Sequence, residues 1–131
     1  MKMSRRKLRE SIFLLLFRIE FNTREELEEQ AEAFYGQVEA KEDRSYIHDK
    51  LEAILDELPA IDEKIREICQ GWRLSRLGKA ELSILRLAVY EILYDEDIPT
   101  GVAINEAVEI SKIYCSEEAP RFINGVLAKL A

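Results

Sequence analysis

Cysteine is nearly absent from this 131-residue chain: Cys69 and Cys115 are its only two. Two thiols build no disulfide framework, which points to a reducing compartment. Histidine is scarcer still. His48 stands among Tyr46, Asp49 and Lys50 on a polar helix face, with neither an oriented partner nor a pocket, and reads as a surface residue rather than a general base. Cys69 falls on an apolar helix face and Cys115 at a helix end. No second cysteine or histidine stands near either to complete a zinc set or activate a nucleophile. The chain has 5 glycines and 3 prolines, and no glycine loop of the kind that cradles phosphate. Long apolar runs are missing too. Ile12–Phe17 follows a basic start as a signal-peptide core would, but it stops at Arg18 with no small-residue cleavage site before Glu20. No segment approaches the roughly 20 apolar residues that span a bilayer. These absences leave a cytoplasmic protein with no catalytic residue, metal ligand, cofactor or membrane span expected.

What is present is apolar residues (47%) and charge (34%). A chain of this length and composition builds a core without staples, and it is too apolar to be disordered throughout. Its net charge of −7 is unevenly spread. Residues 1–18 carry six Lys/Arg and one acid, for +5; residues 19–67 carry six and sixteen, for −10; residues 68–131 carry seven and nine, for −2. A basic start on an acidic body is either a polyanion site of limited extent or an ordinary solvated helix end.

The periodicity is helical throughout. Ser4 caps a first helix running to about Phe21, with Ile12, Leu15, Leu16 and Ile19 on its inner face. Thr23 and Glu26 have capping-box spacing and open a second helix that ends near Gly36. Gln37–Arg44 reads as a polar connection. Ser45 begins a third helix carrying Ile47, Leu51, Ile54, Leu55 and Leu58, stopped by Pro59. A fourth carries Ile61, Ile65, Ile68 and Cys69 and ends at Gly71, followed by a short helical link from Trp72 to Leu77. From Leu82 to Leu93 the apolar residues run nearly all round a helix, which marks it as central to its bundle. Val102–Tyr114 makes a sixth helix, and Pro120 starts a seventh. The expectation is an all-α fold of about seven helices in two packed three-helix-type bundles: one domain over 1–131, with subdomains at approximately 1–58 and 59–131.

Two stretches could carry function. In Arg5-Arg6-Lys7-Leu8-Arg9 four cations occupy most of a turn, so that one edge can face a phosphate backbone while Leu8 turns inward; arginine adds bidentate phosphate contacts and stacking on bases. From Tyr114 to Gly125, two aromatics, Arg121 and an amide surround a helix start. Tyr114 and Phe122 can stack on bases, or Phe122 is plain core and Tyr114 half-buried filler. Asn124-Gly125 within a helix is unusual, since both are poor helix formers. Gly125 is expected to permit a close helix approach, and Asn124 to bond a neighbouring backbone or a ligand. Glu25, Glu26, Glu28 and Glu29 point around their helix rather than to one point, and read as a solvated face.

Several stretches together resemble the transcription antitermination factor NusB family. They are Ser4-Arg5-Arg6-Lys7-Leu8-Arg9-Glu10, Leu85-Arg86-Leu87-Ala88-Val89-Tyr90-Glu91-Ile92, Val102-Ala103-Ile104-Asn105-Glu106-Ala107-Val108-Glu109 and Phe122-Ile123-Asn124-Gly125-Val126-Leu127. Glu20–Ile61 is the least similar part. The resemblance implies two helical bundles, no enzymatic activity, and binding of boxA RNA, a short single-stranded segment of ribosomal RNA leader transcripts. This binding is joint with the ribosomal protein that serves as NusE, in the RNA polymerase antitermination complex. By similarity Arg5, Arg6, Lys7 and Arg9 contact RNA, Tyr114, Arg121, Phe122 and Asn124 line the same RNA surface, and Glu81 faces NusE. Two departures are Lys7, which lacks an arginine's fork, and Cys115, where a glycine is often found.

Two alternatives accompany this expectation. One is an RNA-binding accessory domain like that of ribosomal RNA cytosine methyltransferases; the chain has no room for the methyltransferase itself. The other is a helical interaction module without RNA, suggested by the acidic middle third. A homodimer that covers the basic helix would mask the RNA site until a partner arrived.

Overall fold

A computed structural model describes residues 1–70 and 77–131. Its elements are all helical: α1 (Arg5–Phe17), α2 (Arg24–Tyr35), α3 (Lys41–Asp56), α4 (Leu58–Cys69), α5 (Lys79–Tyr94), α6 (Thr100–Tyr114) and α7 (Ala119–Leu127), with 3₁₀ turns at Arg18–Glu20 and Ala128–Leu130. The chain divides into two compact units, Met1–Leu55 and Asp56–Ala131. No helix among the described residues is long and apolar enough to cross a membrane. The stop expected at Gly71 and most of the link expected over Trp72–Leu77 lie outside the described residues.

In the first unit the helix starts follow their local chemistry. Ser4 Oγ accepts the Lys7 amide at 3.1 Å to open α1. Thr23 and Glu26 close a capping box on α2, with Thr23 Oγ1 accepting the Glu26 amide at 3.1 Å and Glu26 accepting the Thr23 amide at 2.8 Å. α3 starts at Lys41 rather than Ser45. Lys41–Arg44 shows no apolar period, but Glu42 and Asp43 occupy the first turn, where the helix dipole favours acids. Arg44 also donates to the Val38 carbonyl at 2.6 Å and that of Glu39 at 3.0 Å, tying the start of α3 to the loop before it. Buried positions on α1 cover more than half its circumference: Leu8, Arg9, Ser11, Ile12, Phe13, Leu15 and Leu16. Leu27, Ala31 and Tyr35 are buried on α2, and Ile47, Leu51, Ile54 and Leu55 on α3.

In the second unit, Leu58 and Pro59 belong to α4 rather than to the end of α3, and Pro59 occupies the first helical turn, where its missing N–H costs nothing. α4 ends at Cys69, and Gln70 takes φ 32°. α5 packs against α4, α6 and α7, and every residue from Leu82 to Val89 is buried. That confirms its central place. The apolar character fails at the far end, where Leu93 and Tyr94 are exposed. Within α5 the buried Arg86 donates from Nε and from an Nη to the two carboxylate oxygens of Asp62 on α4, both at 2.9 Å. Lys129 Nζ donates to the Ile68 carbonyl at 2.7 Å, holding the chain end on α4.

Candidate nucleic-acid interface

The basic cluster opens α1, in the first unit. Helical period sends Leu8 inward and leaves Arg5, Arg6 and Lys7 exposed. Lys7 pairs loosely with Glu10 at 3.1 Å across one turn. Arg9 differs, being only 7% exposed. It precedes Ile12, Phe13 and Leu16 by three, four and seven residues, the spacing of one helix face, so its stem follows the apolar side. Of the four cations spread over most of a turn, three are thus exposed, and the spacing itself held the signal for Arg9. The segment before the helix is also fixed. The Met3 amide donates to Asp43 Oδ2 at 2.6 Å, and the terminal ammonium pairs with Glu39. Asp43 is 3% exposed. No local pattern revealed that support, because its partners lie far apart in sequence.

The first turn of α1 holds no acid. Cations at a helix start oppose the helix dipole, whose positive end lies there. Phosphate has the complementary sign, and is favoured by the cations and by the positive end of the dipole alike.

The second cluster lies in the second unit, on α6, the following corner and α7. Tyr114 ends α6 and is 39% exposed; Cys115 is half-buried, with its N–H donating to the Ser111 carbonyl at 3.0 Å. α7 buries Ala119, Ile123, Val126 and Leu127. That places Arg121, Asn124 and Gly125 on its outer face and Phe122 at the edge, half-buried. Phe122 is therefore neither plain core nor a free platform. The close helix approach expected at Gly125 is not found. A Cβ built there meets nothing within 4 Å, because the residue lies on the solvent side of the helix.

Glu81 is half-exposed, and its Oε2 accepts the Gly78 amide at 2.9 Å, closing the start of α5. A Cβ on Gly78 would stand 2.7 Å from that oxygen, the far end of a flexible side chain that can shift to make room, as Glu26 does beside Thr23. The Glu81 charge also reaches Cys115. Burial first, and then Glu81, push that thiol up to about 11. The start of α5 and the α6–α7 corner thus share one end of the unit, which brings Glu81 into the neighbourhood of Tyr114. Cys69 is buried, which raises its thiol as well.

Residues 6–131 match the sequence model of the NusB family. The chain belongs to the NusB family. It is 47% identical over 131 residues to the transcription antitermination protein NusB of Agathobacter rectalis, a match covering 98% of this chain and 100% of that protein. Among solved structures, NusB of T. maritima matches with a TM-score of 0.92 and 37% identity, over 100% of this chain and 92% of that one. A chain in the crystal structure of antitermination factors NusB and NusE in complex with dsRNA matches with a TM-score of 0.81 and 27% identity, over 96% and 94%. This is a family of antitermination factors, not of enzymes.

His48 is exposed and lies 3.1 Å from Asp49. With Glu25, Glu28, Glu29, Glu32 and Glu52 it lines an open acidic groove of about 450 Å³, so the glutamates of α2 form a solvated face. Among the described residues no group of three or more His, Cys, Asp or Glu could hold a metal ion. Beside the groove, burial and then the charges of Glu52, Glu32 and Asp49 raise the Tyr35 phenol to about 12, so it stays protonated.

Proposed function

We propose that this chain binds boxA-type single-stranded RNA of ribosomal RNA leader transcripts, jointly with a NusE ribosomal protein, within the RNA polymerase antitermination complex in the cytoplasm. Arg5, Arg6 and Lys7 meet phosphates on the first unit. Arg9 contributes through whatever part of its guanidinium reaches the surface. On the second unit Tyr114 and Phe122 offer stacking edges, Arg121 a charge and Asn124 an amide, while Glu81 faces NusE. The observation that carries the reading is the start of α1: three exposed cations and no acid where the helix dipole disfavours cations. Family membership and the NusB–NusE–dsRNA neighbour support it.

The wider field of a −7 protein opposes RNA, so affinity alone should be weak and should rise when a basic partner extends the track. The test is a titration of boxA and scrambled RNA, single- and double-stranded, with and without NusE. RNA affinity that stays unchanged at saturating NusE while a ternary complex forms would overturn the joint mode. Arg6→Ala should flatten the slope of log affinity against log salt by up to about 0.7, the contribution of one phosphate on a single strand, and weaken boxA and scrambled RNA alike. Tyr114→Ala should leave the slope unchanged and cost about 1–3 kcal/mol if a base stacks there. Masking by a homodimer is part of the same proposal; a free protein that sediments as a monomer at high concentration removes it.

A further inference from the structure

We propose that Gly125 is a bare contact point for RNA: without a side chain it lets the sugar–phosphate backbone of a strand lie directly on the α7 main chain, flanked by Arg121 and Asn124. The proposal rests on the RNA-binding reading above and adds a residue which that reading lacks. Gly125 is inside α7, where glycine is the poorest helix former after proline, and its neighbour Asn124 is poor as well. Folding gains nothing visible from either. A Cβ on Gly125 would meet no atom within 4 Å, and its φ lies outside the left-handed range, so neither packing nor backbone conformation calls for glycine. Gly78 differs in that a Cβ there would meet a neighbour, the Glu81 carboxylate at 2.7 Å.

The surroundings point to a ligand. Arg121 is one turn before Gly125 on the same face, and Arg121 and Asn124 are both exposed. Neither side chain has a hydrogen-bond or ion-pair partner among the described residues. A guanidinium and an amide thus bracket a stretch of helix with no side chain between them and a strand. Exposed backbone of this kind accepts a close-lying chain, with Cα–H groups directed at its oxygens; any side chain at 125 would hold the strand off.

The test compares Gly125→Ala and Gly125→Leu with wild type in the full chain, by thermal melting and by titration with a short single-stranded boxA RNA, with and without NusE. Gly101→Ala is the control: it too is an open, exposed helical glycine, but it lies in the first turn of α6, at the opposite end of that helix from Tyr114. Gly125→Ala should melt a few degrees higher yet bind RNA about tenfold more weakly, a loss that in free-energy terms is about 1.4 kcal/mol. Gly125→Leu should bind more weakly again. Gly101→Ala should bind as wild type does. The salt slope should not change, since no charge is removed. Unchanged RNA affinity in both Gly125 variants, or an equal loss in Gly101→Ala, overturns the proposal while leaving the RNA-binding reading intact. A wild-type chain that binds no RNA under any of these conditions overturns that reading, and the proposal with it.

Discussion

Arg5 and Arg86 are the same residue in opposite circumstances. Arg5 is exposed at the start of α1, in a turn without an acid. Arg86 is buried in the middle of α5 and gripped by both oxygens of Asp62. Arg9 is an intermediate case, near one end of a helix but on its apolar face. An arginine buried against a carboxylate serves the fold, whereas one left at the wrong end of a helix dipole is available to a polyanion. Charge counts cannot separate these roles; partners and burial can.

The largest expected effect breaks the Arg86 side of the comparison. Asp62→Ala takes the carboxylate away from a guanidinium whose side chain is 8% exposed, and loss of one partner of a buried pair costs about 3–5 kcal/mol. Chemical unfolding measures it, and a cost below about 1 kcal/mol would mean that solvent reaches Arg86. Replacing both partners by apolar residues of similar volume should recover most of the loss.

Next in size is a helix start built the opposite way from α1. The capping box of α2 places Glu25 and Glu26 in its first turn. Thr23→Ala should cost about 1 kcal/mol and leave RNA binding unchanged. Hydrogen bonds from the Thr23 amide and hydroxyl hold the Glu26 carboxyl below its ordinary 4.5. A carboxylate with a lowered folded pKa stabilises fully above its unfolded value, and that contribution is lost as pH falls through the folded one. Acid titration of Glu26→Gln, which keeps an acceptor for the residue 23 amide but removes the titrating group, should therefore show less loss of stability below about pH 4.5 than wild type; an identical acid limb would mean that the box is not formed.

Arg5→Glu reverses the sign at the start of α1. It should stabilise the chain by about 0.3–1 kcal/mol through the helix dipole while weakening RNA and flattening its salt slope. A variant that loses stability, or binds RNA as tightly as before, would remove the contrast with Arg86. The smallest effect concerns Cys115. With its thiol raised to about 11, alkylation at neutral pH should be slow. Glu81→Gln, by removing a like charge, should speed it modestly at fixed pH. An unchanged rate would show that burial alone governs the thiol.

Much of this architecture was legible because its causes are local. Ser4, Thr23 with Glu26, and Pro120 mark helix starts through contacts within a few residues, and the apolar run of α5 announces a central helix. The polar start of α3 was missed because Arg44 fastens it to the preceding loop, a bond no periodicity records. Leu58 was assigned to the wrong helix because a proline ends one helix and begins another equally well. At the candidate site the inward turn of Leu8 followed from spacing, and so could that of Arg9.

The sequence by itself determined the helical class, most helix starts, the concentration of basic charge before Arg18 and the resemblance to the NusB family, since each depends on neighbours within a turn or on residue types in order. Only the tertiary structure decided that Arg86 meets Asp62, that Asp43 holds Met3, that Glu81 is spent on the cap at Gly78, and that Gly125 faces open space. Whether a charge is paired, a glycine crowded or a side chain exposed depends on what distant parts of the chain bring near it. That is fixed by packing, which a linear pattern does not contain.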